Sequence, residues 1–201
     1  MDFGTQQAHS WIALGLHATA ESADAVFEAD GEATPCFAGA TETWSGVLQP
    51  YAHHGAVNWL DPADPGLAFE LGPKPDDREP FVVITSAGWT LDDRFDVDKA
   101  LDFGRGVAEV RSHMAGVDGL YFHHGFNFPG LLAVDGPTVT MWRDDAATRA
   151  FAYRPGNHKN EMDHYRTNDT ADRSSFTRLR VLRSRGSVQG YAPVAVRATH
   201  R

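Results

Sequence analysis

Ten histidines, one cysteine and an arginine excess in the second half are the side chains of this 201-residue sequence that could do chemistry. The adjacent pairs His53-His54 and His123-His124 lie in strand-like runs, where neighbours point to opposite faces, so each pair offers one imidazole to any single site. His158 and His164 stand six residues apart in a helical segment, about 240° round the axis at 3.6 residues per turn, too far apart to chelate one ion. No HExxH or His-x-Glu with CxxC is present, and the lone Cys36 excludes both paired-cysteine zinc motifs and an internal disulfide, in keeping with a reducing compartment. There is no GxSxG nucleophile elbow, and Gly104-Arg-Gly106 lies inside a helical pattern without the strand or third glycine of a nucleotide loop. What remains is His158, which follows the Pro155-Gly156-Asn157 break with Met162 and Tyr165 at i+4 and i+7. A neutral imidazole facing an apolar, aromatic-lined cavity suits an axial haem ligand, with Arg166, Arg178 or Arg180 neutralising the propionates. A surface or capping histidine in a turn fits the same residues.

The composition is that of a globular domain, with 42% hydrophobic and 22% charged residues, which excludes disorder, collagen and coiled coil. No apolar run is long enough to span a bilayer and Met1–Ser10 lacks a signal-peptide pattern, so the sequence predicts a cytoplasmic protein with no transmembrane segment. Residues 1–102 carry 18 acidic and 4 basic side chains and the remainder 9 and 14, which gives −14 and +5 for the net of −9. A negative chain without a long basic run is not a nucleic-acid binder.

The elements that must position any site are clearest after Pro80. Phe81-Val-Val-Ile-Thr85 reads as a buried strand, and Ala100, Phe103, Val107, Val110 and Met114 recur at three and four residues as a helix that stops at Gly116. Gly119–His124 and Thr138–Trp142 form a strand pair, a helix capped by Asp144 or Asp145 follows and restarts at Asn157, and Phe176–Leu182 closes the order β-α-β-β-α-β. That order predicts an α+β fold built on the ferredoxin-like split βαβ arrangement. Trp11–Leu16, Ala23–Ala38 and Trp44–Pro50 read as strand, helix and strand, half of a second such unit. The expected domains are therefore 1–79, a degenerate half-unit with its linker, and 80–201, a complete unit carrying the site.

Pro80-Phe-Val-Val-Ile-Thr-Ser-Ala-Gly-Trp89, Thr138-Val-Thr-Met-Trp142, Phe151-Ala, Gly156-Asn-His158, Arg166 and Phe176-Thr-Arg178-Leu-Arg-Val-Leu182 together resemble the spheroidene monooxygenase family of haem proteins. Thr43–Pro50, Gly55 and Trp59 look like the end of that family's first repeat, so the likeness covers most of residues 10–190, without the usual amino-terminal segment. The resemblance implies ferredoxin-like units joined in a dimeric α+β barrel, and a haem b iron held by His158. It also implies a pocket lined by Phe151, Met162 and Tyr165, with Arg166 and Arg178 as the matching basic residues and His123 or His124 on the opposite face.

The function expected on this basis is haem-dependent monooxygenation of a small apolar organic substrate, with an external electron donor and Arg166, His123 and His124 in catalytic roles. The alternatives are haem-dependent dehydration or rearrangement of an N–O compound such as an aldoxime, with His123 or His124 as general acid, a non-catalytic haem binder, and a cofactor-free barrel. A homodimer is expected because Val82, Ile84, Leu120, Phe122, Val139 and Met141 fall on alternate strand positions and would form an apolar face needing cover.

Overall fold

The computed structural model describes residues 12, 14–29, 40–55, 70–125, 128–129, 133–153 and 171–192. It divides into two compact units, Gln49–Arg180 and Met1–Leu48 with Val181–Arg201. In chain order the described elements are α1 (Ala20–Ala29), β1 (Trp44–Gly55), β2 (Phe81–Thr90), α2 (Val97–Ser112), β3 (Leu120–Gly125), β4 (Phe128–Pro129), β5 (Ala133–Asp135), β6 (Thr138–Trp142), α3 (Asp145–Tyr153) and β7 (Arg173–Gly186). The described part of the expected first strand, residues 12 and 14–16, carries no strand.

In the larger unit β2 is central, since the β-branched run after Pro80 is shielded on both sides, with Phe81, Val82, Val83 and Ile84 only 1–4% exposed. It pairs antiparallel with β7 on one edge, from Phe81↔Arg180 to Gly88↔Arg173. On the other edge it pairs with β6, from Phe81↔Trp142 to Thr85↔Thr138, and then with β5. With β3 beyond β6, the order β3-β6-β2-β7 is that of a ferredoxin-like sheet, and β1 extends it past β7. Asp96 caps α2, its carboxylate accepting from the Lys99 N–H at 3.0 Å, and Asp144 caps α3 by accepting from the Ala147 N–H at 2.7 Å.

Cross-strand partners share a face. On the helix side Phe81, Val83 and Trp142 pack with Ala147 of α3, and Val117, Leu120, Phe151 and Phe176 close round them. Trp89 and Phe103, ring centroids 5.0 Å apart, bring α2 to the same side.

The closed barrel expected from the resemblance is not formed: the described sheet is open, with β3 and β1 each hydrogen-bonded to one neighbour. The expected apolar face also divides differently. A bulge pairs Leu120 with Trp142 but Phe122 with Met141, so Leu120 turns to the helix side and Phe122 away from it. Val82, Ile84, Val139 and Met141 are buried within the single chain at 2, 3, 6 and 3% exposure. No described helix is long and apolar enough to cross a membrane.

In the smaller unit, Arg183 pairs with Asp24 and Glu28 of α1, and Arg183 and Arg185 lie 5.0 and 4.6 Å from the Phe27 ring. The Glu42 carboxylate accepts from Ser187 Oγ and the Gln189 and Gly190 N–H groups, which pin a turn where Gln189 and Gly190 have positive φ.

Candidate functional site

The site is built from one turn of α2 and the end of β3. The inward stripe of α2 runs through Phe103, Gly106, Val107 and Val110 to Met114, which is 6% exposed just past the helix end. Arg111 stands four residues after Val107 and three before Met114, so helix periodicity turns its long side chain toward the sheet. On β3, His123 is opposite Thr140, whose own neighbour on β2 is Val83 of the helix-side core, whereas His124 is opposite Val139 on the other face. His124 is buried, with its ring stacked on Phe122 at 6.1 Å and 8°. Gly125 returns to the helix side, where Arg111 Nη1 lies 3.3 Å and Thr138 Oγ1 3.7 Å from the point a Cβ would occupy.

Two polar atoms there are closed off from water and have no hydrogen-bond partner, Arg111 Nε and His123 Nδ1. Burial pulls the Arg111 guanidinium below its ordinary pKa, although a guanidinium stays charged at neutral pH. Burial first, then the Arg111 charge and the neighbouring imidazole, hold His123 below the usual histidine value, and burial followed by Arg111 does the same for His124. The arrangement is thus a half-buried cation beside two neutral imidazoles, one of which shares its side of the sheet. A buried guanidinium N–H without a partner is costly, a half-buried cation attracts an anion, and a neutral imidazole accepts a proton.

The same shifts set a pH dependence of stability. Below about pH 6.5 the unfolded chain takes up protons that the folded imidazoles refuse. Unfolding free energy should therefore fall with pH by up to about 1.4 kcal/mol per pH unit for each imidazole, until the folded groups protonate as well. Urea midpoints measured from neutral pH downward check this, and His124→Phe, which keeps a ring against Phe122, should flatten the slope.

The other expected site residues have these places. Arg178 donates to the buried Asp145 carboxylate at 3.1 Å, and its guanidinium lies 5.6 and 5.4 Å from the Phe81 and Phe176 rings. Arg149 donates to the same carboxylate from the next turn of α3. Phe151 belongs to the core, its ring 5.4 Å from that of Trp142. His53 faces Gly55 O at 3.1 Å and Thr177 Oγ1 at 2.9 Å. Because a carbonyl only accepts, Nε2 donates to Gly55 O. His158, Met162, Tyr165 and Arg166 lie outside the described residues.

Arg111, Gly125 and Thr138 were not singled out in the sequence. The signal for Arg111 was present, a basic residue in step with Val107 and Met114 on an apolar helix stripe. Nothing local marks Gly125 or Thr138, whose meeting depends on the β3–β6 register.

No family model matches the chain, and no curated protein does. Among solved structures it is similar to a point mutant of SnoaB, a cofactor-independent oxygenase from Streptomyces nogalater, at 15% identity and TM-score 0.37 over 50% of this chain and 90% of that one. A dimeric ferredoxin-like protein of unknown function from Thermobifida fusca YX matches at 11% identity and TM-score 0.40, over 53% and 96%. An anthrone oxidase-like protein matches at 15% identity and TM-score 0.39, over 88% and 70%. Likenesses this distant carry no argument about what the present chain does.

These findings correct the haem-protein expectation. The resemblance to spheroidene monooxygenase is matched by no family model. Among the described residues no three His, Cys, Asp or Glu side chains come together as a metal site. Nor do those residues fit a haem: Arg178 is bound to Asp145, Phe151 is packed on Trp142, and His123 and His124 face opposite sides of one sheet. The described residues therefore support neither haem b and its iron nor the haem-dependent monooxygenation with an external electron donor, haem-dependent dehydration or haem binding expected from the resemblance.

Proposed function

We propose that the protein is an acid–base enzyme for a small, weakly acidic organic molecule, from which His123 removes a proton while Arg111 holds the anion that results. The observation that carries this is the pair of buried, unpartnered atoms Arg111 Nε and His123 Nδ1 on the helix side of the sheet. A fold does not leave a guanidinium N–H and an imidazole nitrogen buried without partners in one place without cost, and a ligand that satisfies both is one that arrives protonated and is held ionised. Burial supports the same roles, since it keeps His123 in its basic, neutral form.

4-Nitrophenol, coloured only when ionised, tests the proposal. On saturating protein the dye should turn yellow at a pH where free dye is colourless, and His123→Leu should abolish most of that shift. An unchanged titration curve in the presence of wild-type protein overturns the acid–base role. The homodimer is kept as a proposal: light scattering should give about twice the 22.0 kDa chain mass, and a single-chain mass removes it.

A further inference from the structure

Gly125 has no side chain to do chemistry with, and its backbone gives no reason for a glycine. It is not among the glycines with positive φ, and it pairs with Thr138 as ordinary ladder backbone, where glycine weakens a strand. What a side chain there would meet is Arg111. Its Nη1 lies 3.3 Å and its Cζ 3.6 Å from the point a Cβ would occupy. The guanidinium therefore rests on the bare backbone of β3, so close that a methyl group at this position would push Nη1 back by a few tenths of an ångström. The adjoining Nε is closed off from water.

We propose that Gly125 is a positioning residue, which by having no side chain seats the Arg111 guanidinium against β3 and so holds the cation at a set place relative to the base. This rests on the acid–base reading of Arg111 and His123. An arginine reaching out from a helix samples many rotamers, and an unseated guanidinium would seldom occupy the one position that suits a bound anion. Seated on Gly125, it is tied to the same strand as the base. His123 and Gly125 are two residues apart on the helix side of β3, about 6.6 Å along an extended strand. The backbone of one strand thus sets the spacing between the group that takes the proton and the group that holds the charge left behind. Donors placed before the ligand arrives hold an anion without rearranging. A larger residue at position 125 would lift the cation off the strand and leave His123 on it.

Two substitutions graded in size test this on the full chain, Gly125→Ala and Gly125→Val. The first readout is exchange of the Arg111 Nε–H with water, followed by NMR on 15N-labelled protein, the signal being assigned by its loss in Arg111→Met. Exchange should be slow in wild type because Nε is enclosed, faster in Gly125→Ala and faster again in Gly125→Val. The second readout is 4-nitrophenol. Affinity for the ionised dye should fall in the same order, by about tenfold in Gly125→Val, the low end for a lost hydrogen bond to a charged group. Circular dichroism checks that the variants are folded, and Gly125→Ala, which adds a single methyl group, carries both comparisons should the valine variant not fold. Exchange that is unchanged in the variants overturns the seat and leaves the acid–base reading standing. Faster exchange with undiminished binding of the ionised dye overturns the positioning role. Absence of dye ionisation on wild-type protein overturns the acid–base reading and the positioning role with it, whatever the exchange rates.

Discussion

Asp145→Ala should destabilise the protein by about 3 kcal/mol, toward the low end of the range for removing one partner of a buried ion pair. The carboxylate side chain is 8% exposed and serves two guanidinium groups, Arg149 and Arg178. They respond differently to its loss. Arg149 is 58% exposed and returns to water, whereas Arg178 is 22% exposed, lies against Phe81 and Phe176, and keeps its charge in place without a counter-ion. Arg149→Ala should accordingly cost only a few tenths of a kcal/mol, the usual value of an exposed i,i+4 pair. Urea denaturation of the two variants with unchanged slope gives the comparison. Equal losses would mean that Arg178 does not depend on Asp145 and that the core under α3 is held by its apolar contacts alone.

Arg111→Met should do the reverse to stability and more to function. Methionine keeps the length and apolar stem of the side chain and removes a half-buried charge that has no partner at Nε. Replacing buried charge by a hydrophobic group of similar size is often neutral or stabilising by about 1–4 kcal/mol, and partial exposure of Arg111 sets the expectation near 1 kcal/mol. The ionisation of bound 4-nitrophenol should disappear in the same variant. A protein that loses the dye response while its urea midpoint rises has given up a group kept for binding rather than folding. A clear fall in the midpoint would make Arg111 a structural residue and remove the anion partner from the proposed chemistry.

Much of the framework was legible in the sequence because it is local. The β-branched run at Phe81–Thr85, the apolar stripe of α2 with Asp96 before it, and the strand of alternating Leu179, Val181 and Arg178, Arg180 each announce themselves within one turn or one pleat. The element order then admits the split βαβ topology and little else. Residue type alone does not decide whether a side chain serves a cofactor pocket or the core. An aromatic such as Phe151 is as suited to a core as to a pocket, and Arg178 finds its partner in Asp145, 33 residues earlier in the chain.

By itself, then, the sequence determined the strands and helices between Phe81 and Tyr153 that frame the site, together with the strand through Phe176–Leu182, and the ferredoxin-like order of the four strands β2, β3, β6 and β7. Tertiary structure alone decided which face each residue serves. One bulge between Leu120 and Phe122 sends Leu120 into the helix-side core and fixes the phase that follows, in which His123 and Gly125 look toward α2 and His124 does not. Strand periodicity is two, so a single inserted residue reverses every later side chain, and no local pattern in Gly119–His124 reveals it. The meeting of Arg111, His123, Gly125 and Thr138 is a consequence of that phase and of the β3–β6 register, both set by packing between segments distant in the chain.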